Sequence, residues 1–341
     1  MVRCSISGAS VLLVRPGLFL PSFKIENYNN SDLIVRPSLL SICAADQRYF
    51  SGTRSLKVLE QKLPMSLIHE GIGEVLFDPK RKLRSGQKVI LLPNGGNNNP
   101  QDNYSNGSLF RSSTTDGFTQ EFLLLKANEV VPFDSEFSQY YVLTELMSVC
   151  FHAIRRIPMS EWRRVKSVGI WGDGSVGYLL SLCLKKEFPN LLITVFGKHE
   201  EKLMLFSHVD ELIILKNDSL QDYSIDLAFE TVGGDKSSNA INQIIDLISP
   251  CSLICLMGVS ENNIPIDTRK VLEKGLCLFG SSRSLREDFF KAKQFIDSLE
   301  DFSVLDKIIS KRFKVSSSED LTDAFLYDQK TRYKTLLNWE L

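Results

Sequence analysis

Four residues in the first half of the sequence are the strongest candidates for chemistry. They are Cys43, the adjacent pair His69-Glu70, and Glu145. A thiolate, an imidazole and two carboxylates are donor types that bind Zn²⁺, and a catalytic zinc usually has three protein ligands and one open position. Because these segments lie far apart in the sequence, spacing alone does not show that they meet. Taken singly, a cysteine such as Cys43 is most often a small buried apolar residue. His69-Glu70 alone is also consistent with a surface ion pair, and Glu145 with an acid at a helix start.

A glycine-rich turn of the dinucleotide-binding type follows these residues. It forms a G-x-G-x-x-G pattern between an apolar run at 166–171 and a helical stretch from 178 onward. Such glycines allow a tight turn and the close approach of a pyrophosphate, which lies at the helix N-terminus. The order of strand, turn, helix and second strand makes the match specific. The predicted cofactor-binding residues of this turn are Gly172, Gly174, Ser175, Val176 and Gly177.

The end of the second strand predicts which cofactor is bound. An NAD site usually has an acid there, which binds the ribose 2′-hydroxyl. This chain has Gly197 followed by Lys198. A glycine leaves room for a 2′-phosphate and a lysine neutralises it, so the sequence favours NADPH; a solvated Lys198 is the alternative. A metal that polarises oxygen beside a dinucleotide site indicates hydride transfer involving an alcohol or a carbonyl.

The composition bounds the class of protein. The 341 residues are enough for about two domains, and the 43% hydrophobic and 24% charged residues are ordinary for a globular chain. The net charge of −1 gives no basic field, so neither nucleic acid nor an anionic membrane is an expected partner. No apolar run approaches the ~18–20 residues that span a bilayer. Seven scattered cysteines are not a disulfide framework, and a reducing cytoplasm is the expected location.

The elements that must position these residues change character near residue 150. Up to about 145 the chain is β-rich, with short apolar runs bounded by turn residues. From about 167 onward, apolar runs alternate with helical stretches, which indicates a parallel sheet covered on both faces. The fold class expected from this pattern is α/β. Residues 94–107 read as a polar loop without periodicity.

Several segments together resemble the zinc-dependent medium-chain alcohol and polyol dehydrogenases, in order and in spacing. They are Cys43-x-x-Asp46, His69-Glu70-x-x-Gly73-x-Val75, Asp116-Gly117-Phe118, Glu145 with His152-Ala153, and the turn Gly172–Gly177. The resemblance covers nearly the whole chain from about residue 11. It implies a GroES-like catalytic domain made of residues 1–150 and 286–341. It also implies a Rossmann domain, a doubly wound parallel sheet that binds NADP, at residues 151–285.

The same resemblance implies roles for the residues at the metal. Cys43 and His69 would ligate zinc, with Glu70 and Glu145 as carboxylate ligands or close alternates. Asp46 would orient the imidazole. Sorbitol-type members carry a glutamate at the Glu145 position, which indicates a polyol or ketose as substrate. Which glutamate ligates the metal and which handles the proton stays open.

A narrower resemblance is to the ribulose-5-phosphate reductases of bacterial polyribitol-phosphate synthesis. It rests on the segments at 41–49, 63–70, 110–113, 152–156 and 169–174. It implies NADPH-dependent reduction of D-ribulose 5-phosphate to D-ribitol 5-phosphate, for wall teichoic acid or capsule. It also implies a cytidylyltransferase partner that activates the product, and a homodimer or homotetramer.

Three departures from the wider family modify these expectations. The loop at 94–107 has no cysteine, so one zinc is expected rather than two. Ala45 stands where alcohol dehydrogenases carry the hydroxyl of a proton relay, and Arg48 stands where some carry its terminal histidine. The substrate phosphate needs cations, and Arg48 and Arg111 are the predicted ones, because an arginine fork binds two phosphate oxygens.

Three other functions compete with this interpretation. The first is an NAD-dependent sorbitol- or xylitol-type dehydrogenase, which Gly197-Lys198 and the arginines disfavour. The second is a metal-free quinone-reductase-like protein, which would lack the Cys43/His69 pair. The third is a non-catalytic nucleotide-binding protein, which would not need both a metal-ligand set and a glycine-rich turn.

Overall fold

A computed structural model describes residues 4–29, 31–95, 99–105, 107–134, 136, 138–215, 223–331 and 333–341. The chain divides into two compact units. Unit 1 is Met1–Ser148 with Ser284–Leu341, and unit 2 is Val149–Arg283. The predicted domain limits fall two residues later at both junctions (150 against 148, and 285 against 283).

The strands, in chain order, are β1 Cys4–Arg15, β2 Leu18–Tyr28, β3 Leu33–Ser41, β4 Glu70–Phe77, β5 Lys88–Leu91, β6 Leu123–Leu125, β7 Val130–Pro132, β8 Ser167–Trp171, β9 Leu192–Gly197, β10 Glu211–Ile214, β11 Leu227–Glu230, β12 Leu253–Leu256, β13 Cys277–Gly280, β14 Ile309–Val315 and β15 Lys334–Trp339. The α-helices are α1 Ala44–Phe50, α2 Leu56–Lys62, α3 Pro100–Tyr104, α4 Thr144–Arg155, α5 Met159–Trp162, α6 Ser175–Glu187, α7 Glu200–Leu203, α8 Ser237–Leu247, α9 Thr268–Glu273, α10 Arg286–Asp297, α11 Ser303–Asp306 and α12 Ser318–Asp328. Among the described residues, 3₁₀ helices lie at Ala127–Glu129 and Ser138–Leu143.

Unit 1 is built on a mixed sheet with β3 at its centre. Within the described residues the strand order is β14-β15-β3-β4-β5-β7, and β6 also pairs with β3. Alternating apolar residues of these strands, such as Val35, Val75 and Val89, are fully buried in one core. Antiparallel pairing brings the end of β3 beside the start of β4, with Ser41 opposite Glu70. This register places the segments around residues 43 and 69 side by side, where β3 ends and β4 begins.

Unit 2 contains a parallel sheet with strand order β10-β9-β8-β11-β12-β13 in the described part of the chain. Its short strands are continuous apolar runs because helices cover parallel sheets on both faces. Trp171 and Phe196 stack at the end of β8 and β9, with ring centroids 3.9 Å apart. The strand order reverses at β8, and open α/β sheets bind ligands outside the carboxyl ends of strands at such a point. The expected α/β class with a doubly wound sheet is confirmed.

Two predicted segments differ in detail from the structure. Residues 94–107 were expected to form an irregular loop, but α3 lies within them because Asn99 caps its first turn through the backbone N–H of Gln101. Residues 96–98 and 106 of that segment lie outside the described residues. Helix α6 starts at Ser175, three residues before the predicted start. Among the described helices, none is both long and apolar enough to cross a bilayer.

Candidate active site

Three of the predicted metal ligands meet where β3 ends and the neighbouring strand β4 begins. Cys43 is the N-cap of α1, directly after β3. His69 precedes β4, and Glu70 is its first residue. One ligand atom from each of these side chains lies within 4.8 Å of the other two. We call these three residues the metal-ligand group.

The backbone before His69 is held in a strained conformation. Ile68 has φ of 69°, which is rare for a β-branched residue and costs free energy unless the surroundings impose it. Phe118 donates its N–H to the Ile68 carbonyl at 2.8 Å. A Cβ on Gly117 would overlap the carbonyl oxygen of Leu67, so only glycine fits beside this turn. The motif at 116–118 therefore has a packing role: it fixes the direction of His69.

Asp46 connects the two loops that carry the ligands. Its carboxylate accepts hydrogen bonds from the backbone N–H of Cys43 and of Ile68, both at 3.1 Å, and from the Ser112 hydroxyl at 2.6 Å. Its Oδ1 lies 3.4 Å from His69 Nδ1, too far for a well-formed hydrogen bond. Burial alone would raise the pKa of Asp46, but His69 and these hydrogen bonds lower it. The aspartate thus faces Nδ1 of His69 and leaves Nε2 for a metal.

The electrostatics of the group suit a cation. Burial alone would lower the pKa of His69, but Asp46 and Cys43 raise it well above its ordinary value. Burial raises the pKa of the Cys43 thiol, although His69 acts in the opposite direction. Burial thus disfavours the charged Cys43 thiolate, whereas Asp46 and Cys43 favour a positive charge at the position of His69. A soft divalent cation bound by thiolate and imidazole would supply it, so the donor set fits Zn²⁺.

Lys334, which sequence reasoning missed, forms a buried ion pair with Glu70. Its Nζ lies 2.8 Å from Oε1 and 2.7 Å from Oε2, and it also donates to the Ile42 carbonyl at 2.7 Å. Only the Oε1 contact has hydrogen-bond geometry. Burial alone would lower the pKa of Lys334, but Glu70 and Cys43 raise it. No motif marks this residue, because β15 reaches β3 only through the tertiary fold.

Glu145 is not one of the three members of the metal-ligand group, but its carboxyl interacts electrostatically with His69 and Glu70. It is in the first turn of α4, and 5% of it is exposed. Burial raises its pKa to about 7; His69 acts against this shift and Glu70 adds to it. Its carboxyl group can therefore carry a proton near neutral pH.

The two predicted phosphate ligands occupy different surroundings. Arg48 is half-buried on α1, five residues after Cys43. The Arg111 guanidinium points to the carbonyls of Asp116 and Leu124 and lies 3.9 Å from Glu129. It lines a separate cavity of about 270 Å³ that also contains acidic side chains. This placement gives Arg111 acidic partners of its own, and its phosphate role stays a prediction.

The glycine-rich turn of unit 2 has the predicted form. Gly172 has φ of 131°, and Gly174 is the N-cap of α6. A Cβ on Gly172 would overlap the Thr231 hydroxyl, and one on Gly177 would overlap the Gly172 carbonyl. A Cβ on Gly174 would meet no atom within 4 Å. The outer two glycines are therefore needed for packing, whereas the middle one leaves open space in front of the helix N-terminus.

The rim of this turn changes the interpretation of Gly197. The Asp173 carboxylate accepts hydrogen bonds from the backbone N–H of Lys198 and His199, both at 2.8 Å. A Cβ on Gly197 would lie 2.8 Å from Asp173 Cβ, so packing already requires glycine there. Lys198 is exposed, and together with Lys202 it lines a cavity of about 300 Å³ at the turn. Two lysines thus lie at the region expected to hold a 2′-phosphate, and the Asp173 carboxylate, 3.9 Å from Lys202 Nζ, lines the same cavity.

Comparison with known proteins defines the class first. The family model for the alcohol dehydrogenase GroES-like domain matches residues 29–135, which include Cys43, His69 and Glu70. The structure of L-idonate 5-dehydrogenase from Escherichia coli has the same fold, with a TM-score of 0.83 at 20% identity over 99% of this chain and all of that one. The chain therefore has the fold of the medium-chain alcohol dehydrogenases.

More similar proteins define the particular family. Ribulose-5-phosphate reductase 1 of Staphylococcus aureus is 45% identical over 92% of this chain and 94% of that protein. The Bacillus spizizenii ribulose-5-phosphate reductase is 39% identical over 96% and 98%. A crystal structure of S. aureus TarJ in complex with NADPH superposes with a TM-score of 0.85, at 40% identity over 98% of this chain and 100% of that one. The chain belongs to the ribulose-5-phosphate reductase family, as the resemblance predicted.

Proposed function

We propose that this protein reduces D-ribulose 5-phosphate to D-ribitol 5-phosphate, with NADPH as the hydride source and one zinc ion at the metal-ligand group. The observation that carries the proposal is the meeting of Cys43, His69 and Glu70 in a chain 45% identical to a ribulose-5-phosphate reductase. The product would supply polyribitol-phosphate synthesis for cell wall or capsule.

Cys43 and His69 would hold the zinc, and Asp46 keeps the imidazole oriented for it. Zinc supplies Lewis-acid polarisation of a carbonyl oxygen when it is bound. The carboxylate ligand is Glu70 or Glu145. Distance favours Glu70, which belongs to the metal-ligand group. Charge favours Glu145, because Lys334 already compensates Glu70.

The reduction also needs a proton at the new hydroxyl oxygen. Ala45 offers no hydroxyl for a relay. If Glu70 is the zinc ligand, Glu145 is the candidate to hold that proton, because it is a carboxyl whose pKa is raised by burial. The paired Lys334 keeps Glu70 in a fixed position beside it. We therefore assign proton handling to Glu145 in the case that Glu70 is the ligand, and charge compensation of Glu70 to Lys334.

The glycine-rich turn would bind the cofactor through its backbone. The space before Gly174 would accept the pyrophosphate at the N-terminus of α6. Lys198 and Lys202 would neutralise the 2′-phosphate of NADPH. For the substrate phosphate, Arg48 is the proposed cation, because it lies on the helix that Cys43 caps.

Three further proposals concern the setting of the enzyme. A cytidylyltransferase would use the product, since activation of ribitol 5-phosphate must precede its transfer into a polymer. A cytoplasmic location is proposed, and it suits seven cysteines that form no disulfide among the described residues. The protein is also proposed to form a homo-oligomer.

The test is an NADPH-oxidation assay with a metal determination on the same sample. We expect one zinc per chain. Oxidation of NADPH should be far faster with ribulose 5-phosphate than with fructose or xylulose. With ribulose 5-phosphate, NADPH should be oxidised far faster than NADH. Cys43→Ser should lose both the zinc and the activity. A wild-type protein that prefers an unphosphorylated ketose, or that is equally active without zinc, would contradict the proposal.

Single variants then decide the carboxylate ligand. If Glu145 is the ligand, Glu145→Gln lowers zinc content and Glu70→Gln does not; if Glu70 is the ligand, the result is the reverse. A proton role for Glu145 without ligation predicts full zinc content and a lost ionisation in the pH profile of kcat.

A further inference from the structure

The β1–β2 hairpin leaves one sheet edge open. The outer edge of β1 is occupied, because Val11 donates its N–H to the Thr119 carbonyl and Leu13 to the Met65 carbonyl, both at 2.9 Å. In the described part of the chain, β2 pairs only with β1. The backbone groups on the other side of β2 are therefore available to another strand.

The pairing pattern shows which residues of β2 face that edge. Val11 and Leu13 direct their N–H groups away from β2. Hydrogen bonding alternates along a strand, so the even-numbered residues of β1, such as Ser10 and Leu12, bond to β2. Ser10 is opposite Ser22, so even-numbered residues of β2 bond to β1 and odd-numbered ones face outward. The outward-facing residues beyond the proline are Phe23, Ile25 and Asn27.

The side chains along this edge are apolar on one face and charged on the other. Phe23 and Ile25 are 68% and 70% exposed. Lys24 and Glu26, on the opposite face, form an ion pair at 2.8 Å. An open edge with exposed apolar residues readily pairs with another strand. Pro21 has no N–H to donate, so such pairing would end there.

We propose that β2 pairs antiparallel with β2 of a second copy, about a two-fold axis at Ile25. This register places Lys24 opposite Glu26 of the partner copy, and Glu26 opposite the partner copy's Lys24. These are the non-hydrogen-bonded pairs of the ladder, in which opposing side chains lie closest. In an antiparallel partner copy, Glu26 takes the place opposite Lys24 and Lys24 the place opposite Glu26. The charges of the strand are therefore complementary to those of a second copy.

The opposite charges favour a second copy over an unrelated strand. The outward backbone groups of Phe23, Ile25 and Asn27 would bond to the same three residues of the partner copy. Each exposed Ile25 would lie beside its symmetry mate, as an isologous two-fold interface requires. The contact would join unit 1 of each copy, whatever other contacts the oligomer has.

The first test is the mass in solution, by light scattering coupled to gel filtration. We expect Ile25→Glu to halve the mass of the wild-type particle, because it places two like charges at the axis. Leu56→Glu, which changes a leucine 78% exposed on α2, is the matched control and should keep the full mass. Equal masses for wild type and Ile25→Glu would overturn the proposal.

A charge exchange tests the register. Lys24→Glu should weaken association, and the double variant Lys24→Glu/Glu26→Lys should restore it, because the strand is again self-complementary. Failure of the double variant to recover would rule out this register.

A cross-link tests the same axis directly. In a hydrogen-bonded antiparallel pair the Cα atoms are about 5.5 Å apart, within the range of a disulfide. In a background with the exposed Cys4, Cys251 and Cys277 replaced by serine, Ile25→Cys should therefore form a covalent dimer on mild oxidation, whereas Leu56→Cys and the background protein should not. A monomeric Ile25→Cys protein under these conditions would contradict the two-fold axis, and cross-linking to a different protein would indicate another partner.

Discussion

The metal-ligand group and the glycine-rich turn use the chain in different ways. The metal-ligand group collects side chains from two loops and compensates Glu70 with Lys334, which is 264 residues away in the sequence. The turn occupies a continuous stretch between β8 and α6 and acts through its backbone. The metal-ligand group depends on buried charges. The turn depends on its glycines, because a side chain at those positions would collide with neighbouring atoms or fill the space for the ligand.

This difference predicts different responses to substitution. A buried charge that loses its partner costs several kcal/mol, because no water can replace the partner. Adding a Cβ to a tightly packed glycine lowers stability, because the neighbouring backbone must move to make room for it. The group should therefore be most sensitive to changes of charge at constant size, and the turn to added volume at constant charge.

The largest effect is expected from Lys334→Met. It leaves the Glu70 carboxylate buried without its cation, and the free energy of unfolding should fall by about 3–5 kcal/mol in urea denaturation. Lys330→Met, on an exposed lysine just after α12, should change it by less than about 0.5 kcal/mol. Glu70→Gln/Lys334→Met should recover part of the loss. A loss below about 1 kcal/mol for Lys334→Met would show that the ion pair is not the stabilising feature.

The next effect tests how Asp46 acts on the metal. Asp46→Asn keeps the size but removes the charge that faces His69 Nδ1, and zinc affinity should fall roughly 10–100-fold in a chelator competition. Asp78→Asn is the control, because Asp78 is also buried and accepts three backbone N–H bonds away from the group. If both variants lose zinc affinity equally, general damage explains the result better than orientation of the imidazole.

A pair of glycine variants separates packing from ligand space in the turn. Gly177→Ala should lower the free energy of unfolding by about 1–3 kcal/mol, because its Cβ meets the Gly172 carbonyl. Gly174→Ala should leave stability within about 0.5 kcal/mol but weaken NADPH binding in a fluorescence titration. Equal destabilisation by the two substitutions would contradict the free space seen before α6.

The smallest effect concerns the choice of cofactor. Lys198→Ala should lower kcat/KM with NADPH roughly five- to tenfold, as expected for one exposed charge on a phosphate, and hardly change the value with NADH. Lys186→Ala, on an exposed lysine of α6, should change neither. An equal loss with both cofactors would show that Lys198 does not contact the 2′-phosphate. Gly197→Asp is unsuitable for this test, because its side chain would collide with Asp173.

The sequence predicted the local features well and the long-range ones poorly. Strand β8, the turn and α6 were predicted in order because their signal lies within consecutive residues. Helix α6 begins three residues earlier than predicted, since Ser175 and Val176 follow the N-cap glycine directly. Lys334 was missed because its partner comes from a distant segment. Arg111 was predicted as a phosphate ligand from its type alone, without its acidic neighbours.

By itself, the sequence determined the α/β class, the dinucleotide turn and the residue types that can bind zinc. It could do so because strand periodicity, glycine spacing and donor chemistry are local properties of the chain. Only the tertiary structure decided that Ser41 pairs with Glu70 and so brings Cys43 beside His69. It also decided that Lys334 compensates Glu70, that Arg111 lies among acids, and that packing requires Gly197. Each of these depends on which distant segments share a core, and burial sets the strength of the charges that meet there.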